Sequence, residues 1–316
     1  MPRILFVKTS SLGDVIHHCA AVSDAARQIP GIEIHWVVEE TFAAIPRMHA
    51  NVRRAIPVAV RRWRGSWWQP GAWKEVAVLR RMLRAQAYDA VIDTQGLVKS
   101  AVLCALACGP KHGMDRSSAR EPLASLLYDH RHRVAREQHA VERNRQLTAQ
   151  ALGYSVRGAC DYGLRLQQQQ PIALEAPYVV LLTMTSRADK RWPDAHWVRA
   201  GRKIAARGAR CVLPWGNEDE RLRSEAIARE IRNAIVPRRM SLEELAALLQ
   251  HARAVAGVDT GLTHLAAAVG VPTVGIYCAS DPALTGLHGA PRAQNLGRMG
   301  ETPDPERVGE ALAAFL

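Results

Sequence analysis

The sequence predicts an α/β protein built from two doubly wound domains, and three observations lead there. Short apolar runs alternate with amphipathic helical stretches along the whole chain, the rhythm of parallel strands joined by crossover helices. That rhythm breaks once, at residues 160–177, where LRLQQQQPIALEAP holds a low-complexity glutamine run at 167–170 with Pro171 and Pro177 behind it. The length, 316 residues, is long for one domain and comfortable for two. Domains of 1–165 and 166–316 are therefore expected, with the last helix able to pack back onto the first domain.

The elements follow in order. ILFV at 4–7 is continuously apolar, as a strand covered on both faces must be, and a helical pattern follows at 15–27. Further apolar runs place strands at 32–38, 54–58 and 90–93, with helices at 73–84, 97–108 and 141–152. YVVLLT restarts the pattern with a strand at 178–183, and Trp192-Pro193 opens a helix to 207. A strand at 210–213 is broken by Gly216, and Glu218, Asp219 and Glu220 open a helix to 232, where acids complement the helix dipole. Strands at 234–236, 254–258 and 273–277 alternate with helices at 242–251, 263–269 and 305–315.

Composition narrows the class of protein. Hydrophobic residues make up 48%, enough for real cores, yet no apolar stretch approaches the roughly 20 residues that span a bilayer. MPRILFVK lacks the succession of regions that marks a secretory signal, so a cytoplasmic location is expected. The six cysteines are scattered, which suits a reducing compartment. Cys104 and Cys108 lie four apart, but no second Cys/His pair at ligand spacing accompanies them, and no metal is assigned. The net charge is +12, and residues 1–157 hold 23 Lys and Arg against 13 Asp and Glu, whereas residues 158–316 hold 19 against 17. The first half should therefore meet an anionic partner: nucleic acid, an acidic membrane surface or a phosphorylated substrate.

Parallel sheets bind ligands at the carboxyl ends of their strands, and the chemically rich stretches of this sequence fall there. VKTSSLGD follows the first strand and contains neither a dinucleotide fingerprint nor a P-loop. Asp14 lies where a helix begins, so it is either a helix cap or a general base able to take a proton from a substrate hydroxyl. VDTGLTH follows the strand at 254–258; Thr260 and Gly261 make a turn into a helix whose unpaired N–H groups can bind phosphate, and Asp259 and His264 face the same end. In LLTMTSRADK, Thr185 and Ser186 can donate hydrogen bonds and Lys190 can neutralise a diphosphate. One of Glu218, Asp219 and Glu220 can hold a ribose, although all three also suit a helix start. VRRWRGSWW mixes Arg61, Arg62 and Arg64 with Trp63, Trp67 and Trp68, a blend that binds anions, sugars or nucleic acid, or else a solvated loop with anchoring tryptophans. Asp93, Thr94, Gln95 and Gly96 follow another strand, with Lys99 on the next helix and Arg116 and Arg120 further on.

VKTSSLGDVIH, YDAVIDTQGLVKSA, AREPLASLLY, KRWP, LPWG, MSLEELA and VDTGLTHLAAA together resemble the ADP-heptose glycosyltransferase family, the heptosyltransferases of the lipopolysaccharide inner core. The resemblance spans almost the whole chain, and RRWR and AREPLASL resemble enzymes that add the first heptose rather than the second. It implies a GT-B architecture, two Rossmann-like domains facing a central cleft, with the acceptor on the first domain and the donor on the second. It also implies inversion at the anomeric carbon with no metal or other cofactor. Asp14 falls on the family's catalytic base. Thr185, Ser186, Lys190, Thr260 and Gly261 fall on its phosphate-binding residues, Asp259 on the heptose-contacting acid, Glu218 on the ribose-binding acid, Met240 on the residue beside adenine, and His264 within the nucleotide-site motif. Arg61, Arg62, Arg64 and Arg120 match basic acceptor-side residues, and Ser10, Gly13 and Gln95 are placed with them. The implied partners are ADP-L-glycero-β-D-manno-heptose and Kdo2-lipid A, with peripheral contact to the anionic cytoplasmic face of the inner membrane and no nucleic acid. The alternatives are a transferase acting on heptosyl-Kdo2-lipid A and a basic nucleic-acid-binding α/β protein, although no recognisable nucleic-acid reader fold is present.

Overall fold

A computed structural model of the protein describes residues 1–65, 68–166, 172 and 177–316; Trp67, the glutamine run and Pro171 lie outside the described residues. The chain divides into two compact units, Met1–Arg165 and Leu166–Leu316.

In the first unit six strands, β1 (Arg3–Val7), β2 (Glu33–Glu39), β3 (Val52–Val58), β4 (Ala90–Asp93), β5 (Lys111–Met114) and β6 (His130–His132), form one all-parallel sheet in the order β3-β2-β1-β4-β5-β6. Its helices are α1 (Leu12–Gln28), α2 (Ala44–Met48), α3 (Val60–Gly65), α4 (Pro70–Arg84), α5 (Val98–Ala105) and α6 (Ala140–Leu152). β1 lies inside the sheet and is covered on both faces, which explains its unbroken apolar run. Leu5 and Val7 pack with Leu79, Leu83 and Leu103 of α4 and α5. Phe6 and Trp36 both meet the His18 ring of α1 edge-on, each with ring centroids 4.7 Å apart. Behind α1 lies α6, joined to it by a buried ion pair from Arg145 to Asp24 at 2.7 Å.

The second unit has β7 (Tyr178–Leu182), β8 (Arg210–Val212), β9 (Ala254–Val258), β10 (Thr273–Tyr277) and β11 (Ala293–Gly297), all parallel in the order β11-β10-β9-β7-β8. Its helices are α7 (Asp194–Ala206), α8 (Glu218–Arg229), α9 (Leu242–Gln250), α10 (Gly261–Ala268), α11 (Pro282–Thr285) and α12 (Pro305–Ala313). Trp192 and Trp197 cross edge-to-face at 4.8 Å in a core shared with Val179, Leu181, Val258 and Ile276. Val308 and Leu312 of α12 are buried in the same core, so the last helix packs on α7 and the sheet of this unit.

Three strands are additions to the sequence reading: β5 (KHGM), β6 (HRH) and β11 (AQNLG) carry no apolar run. The strand expected at 234–236 is corrected to an isolated bridge between Ile235 and Val212; Asn233 just before it sits in the left-handed region at φ 57°, turning the chain at the edge of β8.

Both strand orders reverse direction at one place. In the first unit this is between β1 and β4, and in the second between β7 and β9. Such switch points open a crevice at the carboxyl ends of the strands, because the connections on either side leave in opposite directions. Val7 is level with Val37 and Asp93, which brings the residues after β1 and β4 side by side.

Candidate active site

In the first unit the chain leaves β1 through Lys8, Thr9, Ser10 and Ser11 and enters α1 at once. Ser11 is the N-cap, and Asp14 stands three residues on, next to Gly13 in the first turn. Asp14 Oδ2 accepts from the Ser11 amide at 2.9 Å and from the Ser11 hydroxyl at 3.0 Å. Arg120 Nη1 lies 3.9 Å from the same oxygen, so the expected base and one expected acceptor-side arginine meet. The Asp14 side chain is 28% exposed, which leaves it reachable despite its capping role.

Gln95 is a link between the two switch-point strands. Its Oε1 accepts from the Thr9 amide at 2.7 Å and the Thr9 hydroxyl at 2.8 Å, and its Nε2 donates to Ser10 Oγ at 3.3 Å. Lys99 Nζ donates to the same Ser10 oxygen at 3.1 Å, and burial pulls the Lys99 pKa down, with the nearby Arg61 and Arg64 charges adding to the shift. Asp93 is fully buried and accepts from the Gln95 and Gly96 amides at 2.8 and 3.2 Å and from the Tyr128 hydroxyl at 2.7 Å. Burial pushes its carboxyl above the usual range, and it serves as the turn's internal acceptor rather than as a site group. Lys8 is likewise buried, donating to Thr94 O at 3.0 Å.

The arginines of α3 divide. The Arg61 guanidinium lies 5.4 Å from the centre of the Phe42 ring. Arg62 is paired with Glu75 at 2.8 Å and Glu40 at 3.4 Å, and Trp63 Nε1 donates to Glu75 at 2.7 Å, so Arg62 anchors α3 to α4. Arg64 is exposed on the same short helix.

In the second unit a cavity of about 300 Å³ opens at the switch point. Thr185 and Ser186 after β7, Thr260 after β9, and Met240 line it, bringing together three distant stretches of the sequence. Gly261 opens α10, whose first amides have no partners within the helix. Lys190 Nζ is 2.5 Å from Asp259 Oδ2, Ser280 Oγ donates to that oxygen at 2.6 Å, and His264 Nε2 is 3.3 Å from Oδ1. Burial alone would raise the Asp259 pKa, but the hydrogen bonds from His264, Lys190 and Ser280 outweigh it and hold the carboxyl far below the usual range. Asp259 is therefore a fixed anion with a cation on one side and an imidazole on the other.

Glu218 falls elsewhere. It does not line the cavity; its side chain is 65% exposed and paired with Arg221, because it stands at the solvent side of the first turn of α8. Glu220, two residues on, lines the cavity and accepts from the Gly216 amide at 2.7 Å. Reading by residue missed Arg239, which lines the cavity beside Met240, and Ser280. Ser280 lies three residues beyond β10, at the carboxyl end where a hydroxyl was worth noting; Arg239 sits in a loop with no strand end to mark it.

Two parallel α/β sheets, the second with a cavity of about 300 Å³ at its switch point beside a helix N-terminus, make the arrangement used by glycosyltransferases of the two-domain α/β type. Comparison with known proteins agrees. Residues 76–312 match the model of glycosyltransferase family 9 (heptosyltransferase). The chain is 49% identical over 292 residues to lipopolysaccharide heptosyltransferase 1 of Salmonella typhimurium, covering 91% of this chain and 92% of the relative. It is 48% identical to the enzyme of the same name from Escherichia coli K12, covering 91% of each. The solved structure described as E. coli heptosyltransferase WaaC with ADP aligns with a TM-score of 0.91 at 43% identity, over 99% of this chain and 100% of that one. The same enzyme with ADP-2-deoxy-2-fluoro heptose aligns at 0.87 with 44% identity, over 99% of this chain and 98% of that one. The chain belongs to glycosyltransferase family 9, the heptosyltransferases.

Proposed function

We propose that this heptosyltransferase moves L-glycero-D-manno-heptose, with inversion, from ADP-heptose to a Kdo hydroxyl of Kdo2-lipid A during assembly of the lipopolysaccharide inner core. The observation that carries the donor half is the cavity at the β7/β9 switch point, with Thr185, Ser186 and Thr260 on its wall and the Lys190–Asp259 pair close by. The WaaC structures named with ADP and with a fluoro-heptose analogue of the donor support it. In this reading the diphosphate takes the hydroxyls of Thr185 and Ser186, the amides that open α10, and the Lys190 ammonium; Asp259 and His264 take heptose hydroxyls; Met240 and Arg239 border the adenine end, and Glu220 takes the ribose. As the glycosidic bond to ADP breaks, the charge growing on the departing phosphate meets groups already oriented toward it.

The acceptor half rests on the first unit. Asp14 accepts the proton of the Kdo hydroxyl as its oxygen attacks the anomeric carbon. Ser10, Gly13 and Gln95 shape the turn that presents Asp14, and Arg61, Arg64, Arg120 and Lys99 supply positive charge for the Kdo carboxylates and lipid A phosphates. Arg62 contributes by fixing α3.

The same unit supports peripheral contact with an anionic membrane. Val98 and Val102 of α5 and Leu123, Leu126 and Leu127 of the adjoining short helix at Pro122–Leu127 are exposed, while Ala101, Ala124 and Tyr128 pack together beneath them. Arg116 and Arg120 stand exposed just before this apolar face, a basic and apolar pairing suited to an acidic lipid surface. No helix among the described residues is long and apolar enough to cross a membrane.

The test is to mix the purified chain with ADP-heptose and either Kdo2-lipid A or heptosyl-Kdo2-lipid A and to follow ADP release. Release with Kdo2-lipid A is expected; release only with the heptosylated acceptor would make this a second-heptose enzyme.

A further inference from the structure

One side chain of α8 reaches out of its helix to the loop that bears the expected phosphate ligands. Arg223 Nη1 donates to the carbonyl of Thr183 at 3.0 Å, and Nη2 donates to the carbonyl of Trp192 at 3.2 Å. Its Nε donates to Asp194 Oδ1 at 2.8 Å, in the first turn of α7. Thr183 is the first residue beyond β7, and Trp192 is the last before the proline that leads into α7. One guanidinium thus bridges the two feet of the segment 183–192. Between those feet lie Thr185, Ser186 and Lys190.

The segment has little to hold its own span. Its internal bonds are local, a single helical turn at Ala188–Lys190, an exposed Arg187–Asp189 ion pair and a long bond from the Arg187 amide to Thr185 Oγ1 at 3.5 Å, and none of these ties one foot to the other. The feet are firm: Thr183 and Trp192 are both fully buried. Arg223 is itself only 17% exposed, in a place where its planar fork can hold two carbonyls and a carboxylate at once. A lysine there would offer a point charge and could not span both carbonyls in the same way.

We propose that Arg223 is a positioning residue for donor binding: it fixes the separation of the loop's two feet and so holds the Thr185 and Ser186 hydroxyls and the Lys190 ammonium in the arrangement a diphosphate requires. The inference rests on the donor reading of the second unit, and it deepens that reading with a residue that does not itself touch the nucleotide.

The test uses the full chain with ADP as the probe, by calorimetry, together with separate KM values for ADP-heptose and for the acceptor. The variants are Arg223→Ala, Arg223→Lys and Arg223→Leu, with Arg202→Ala, which removes an exposed pair with Glu230, as a control. Arg223→Ala is expected to weaken ADP about tenfold or more and to raise the donor KM in parallel, with the acceptor KM within about twofold of wild type. Guanidinium salt at a non-denaturing concentration should restore ADP affinity to the Ala variant and not to the Leu variant, whose side chain fills the space. Arg223→Lys should lose donor affinity at nearly unchanged melting temperature, which keeps the test decisive if the Ala variant fails to fold. ADP affinity within twofold of wild type in a folded Ala or Lys variant would overturn the proposal. So would equal losses for donor and acceptor that track the melting temperature and resist rescue. Wild-type chain that does not bind ADP would instead refute the donor-site reading, before any variant is made.

Discussion

On the proposed reading Asp14 serves a helix and a reaction at once, and substitution separates the two. Replacing it with alanine removes the acceptor for the Ser11 amide and hydroxyl, bonds of 2.9 and 3.0 Å at the start of a 17-residue helix. Loss of such a capping interaction costs about 1 kcal/mol. Arg120 adds little to that figure, since its side chain is 68% exposed and 3.9 Å away. A unit of this size would lose about 2–4 °C of melting temperature per kcal/mol. Loss of a general base instead costs about a hundredfold or more in turnover, equivalent to about 2.7 kcal/mol on the barrier. Asparagine distinguishes the two effects, because its side-chain oxygen can still accept from Ser11 yet cannot take a proton. Asp14→Asn should therefore melt within about 2 °C of wild type while losing about a hundredfold or more in ADP release at saturating donor. ADP affinity, measured separately, should not change. An Asn variant retaining turnover within about threefold of wild type would show that the carboxylate is a cap and nothing more.

The remaining predictions concern the second unit and the fold. Glu220→Ala should weaken ADP about tenfold, while Glu218→Ala, which loses only an exposed pair with Arg221, should leave it within about twofold; titration calorimetry of both variants checks this. Gly257→Ala should destabilise by about 1–3 kcal/mol in thermal melts and weaken ADP, because an added Cβ would stand 2.1 Å from Thr263 Oγ1 and 2.9 Å from Leu182 Cβ and would push β9 away from the start of α10. His49 is buried, and burial pushes its pKa down from 6.5 to about 4. Its Nδ1 accepts from the Asn51 amide at 3.1 Å, and its Nε2 faces Cys19 O at 3.1 Å. The folded chain resists protonating it, so its contribution to stability is complete above about pH 6.5 and is lost as the pH falls toward 4, by about 2–3 kcal/mol between pH 7 and pH 4.5. Urea titrations at the two pH values should show a smaller acid loss in His49→Gln than in wild type.

Apart from the edge strand β3, the strands legible in the sequence were those whose burial leaves a mark. β1, β4, β7, β9 and β10 lie inside their sheets and are covered on both faces, so their apolar runs are nearly continuous. β6 and β11 lie at sheet edges and are half solvated, and β5 reads KHGM; nothing in their residue types sets them apart from loops, and only pairing with a neighbour makes them strands. The candidate site residues were legible for a related reason. Asp14, Thr185, Lys190, Asp259 and Thr260 each follow an apolar run closely, and the rule that ligands gather at strand ends pointed to them. Arg223 and Arg239 arrive from a helix face and a loop, where their relevance depends on contacts far along the chain. Glu218 shows the finest limit: three acids in a row satisfy the same helix start, and only the path of the first turn decides that Glu220 faces inward.

The contact between Lys190 and Asp259 also bears on selectivity. An ammonium already engaged by an internal carboxylate is a poor trap for stray anions, since any newcomer must first outbid that carboxylate. Orthophosphate brings nothing for Asp259 to hold in exchange. A sugar nucleotide arrives with an anion for the lysine and hydroxyls for the aspartate, so it can exchange both partners in one event. On the proposed reading, the pocket discriminates by demanding a two-headed visitor, so that a bare phosphate gains little there.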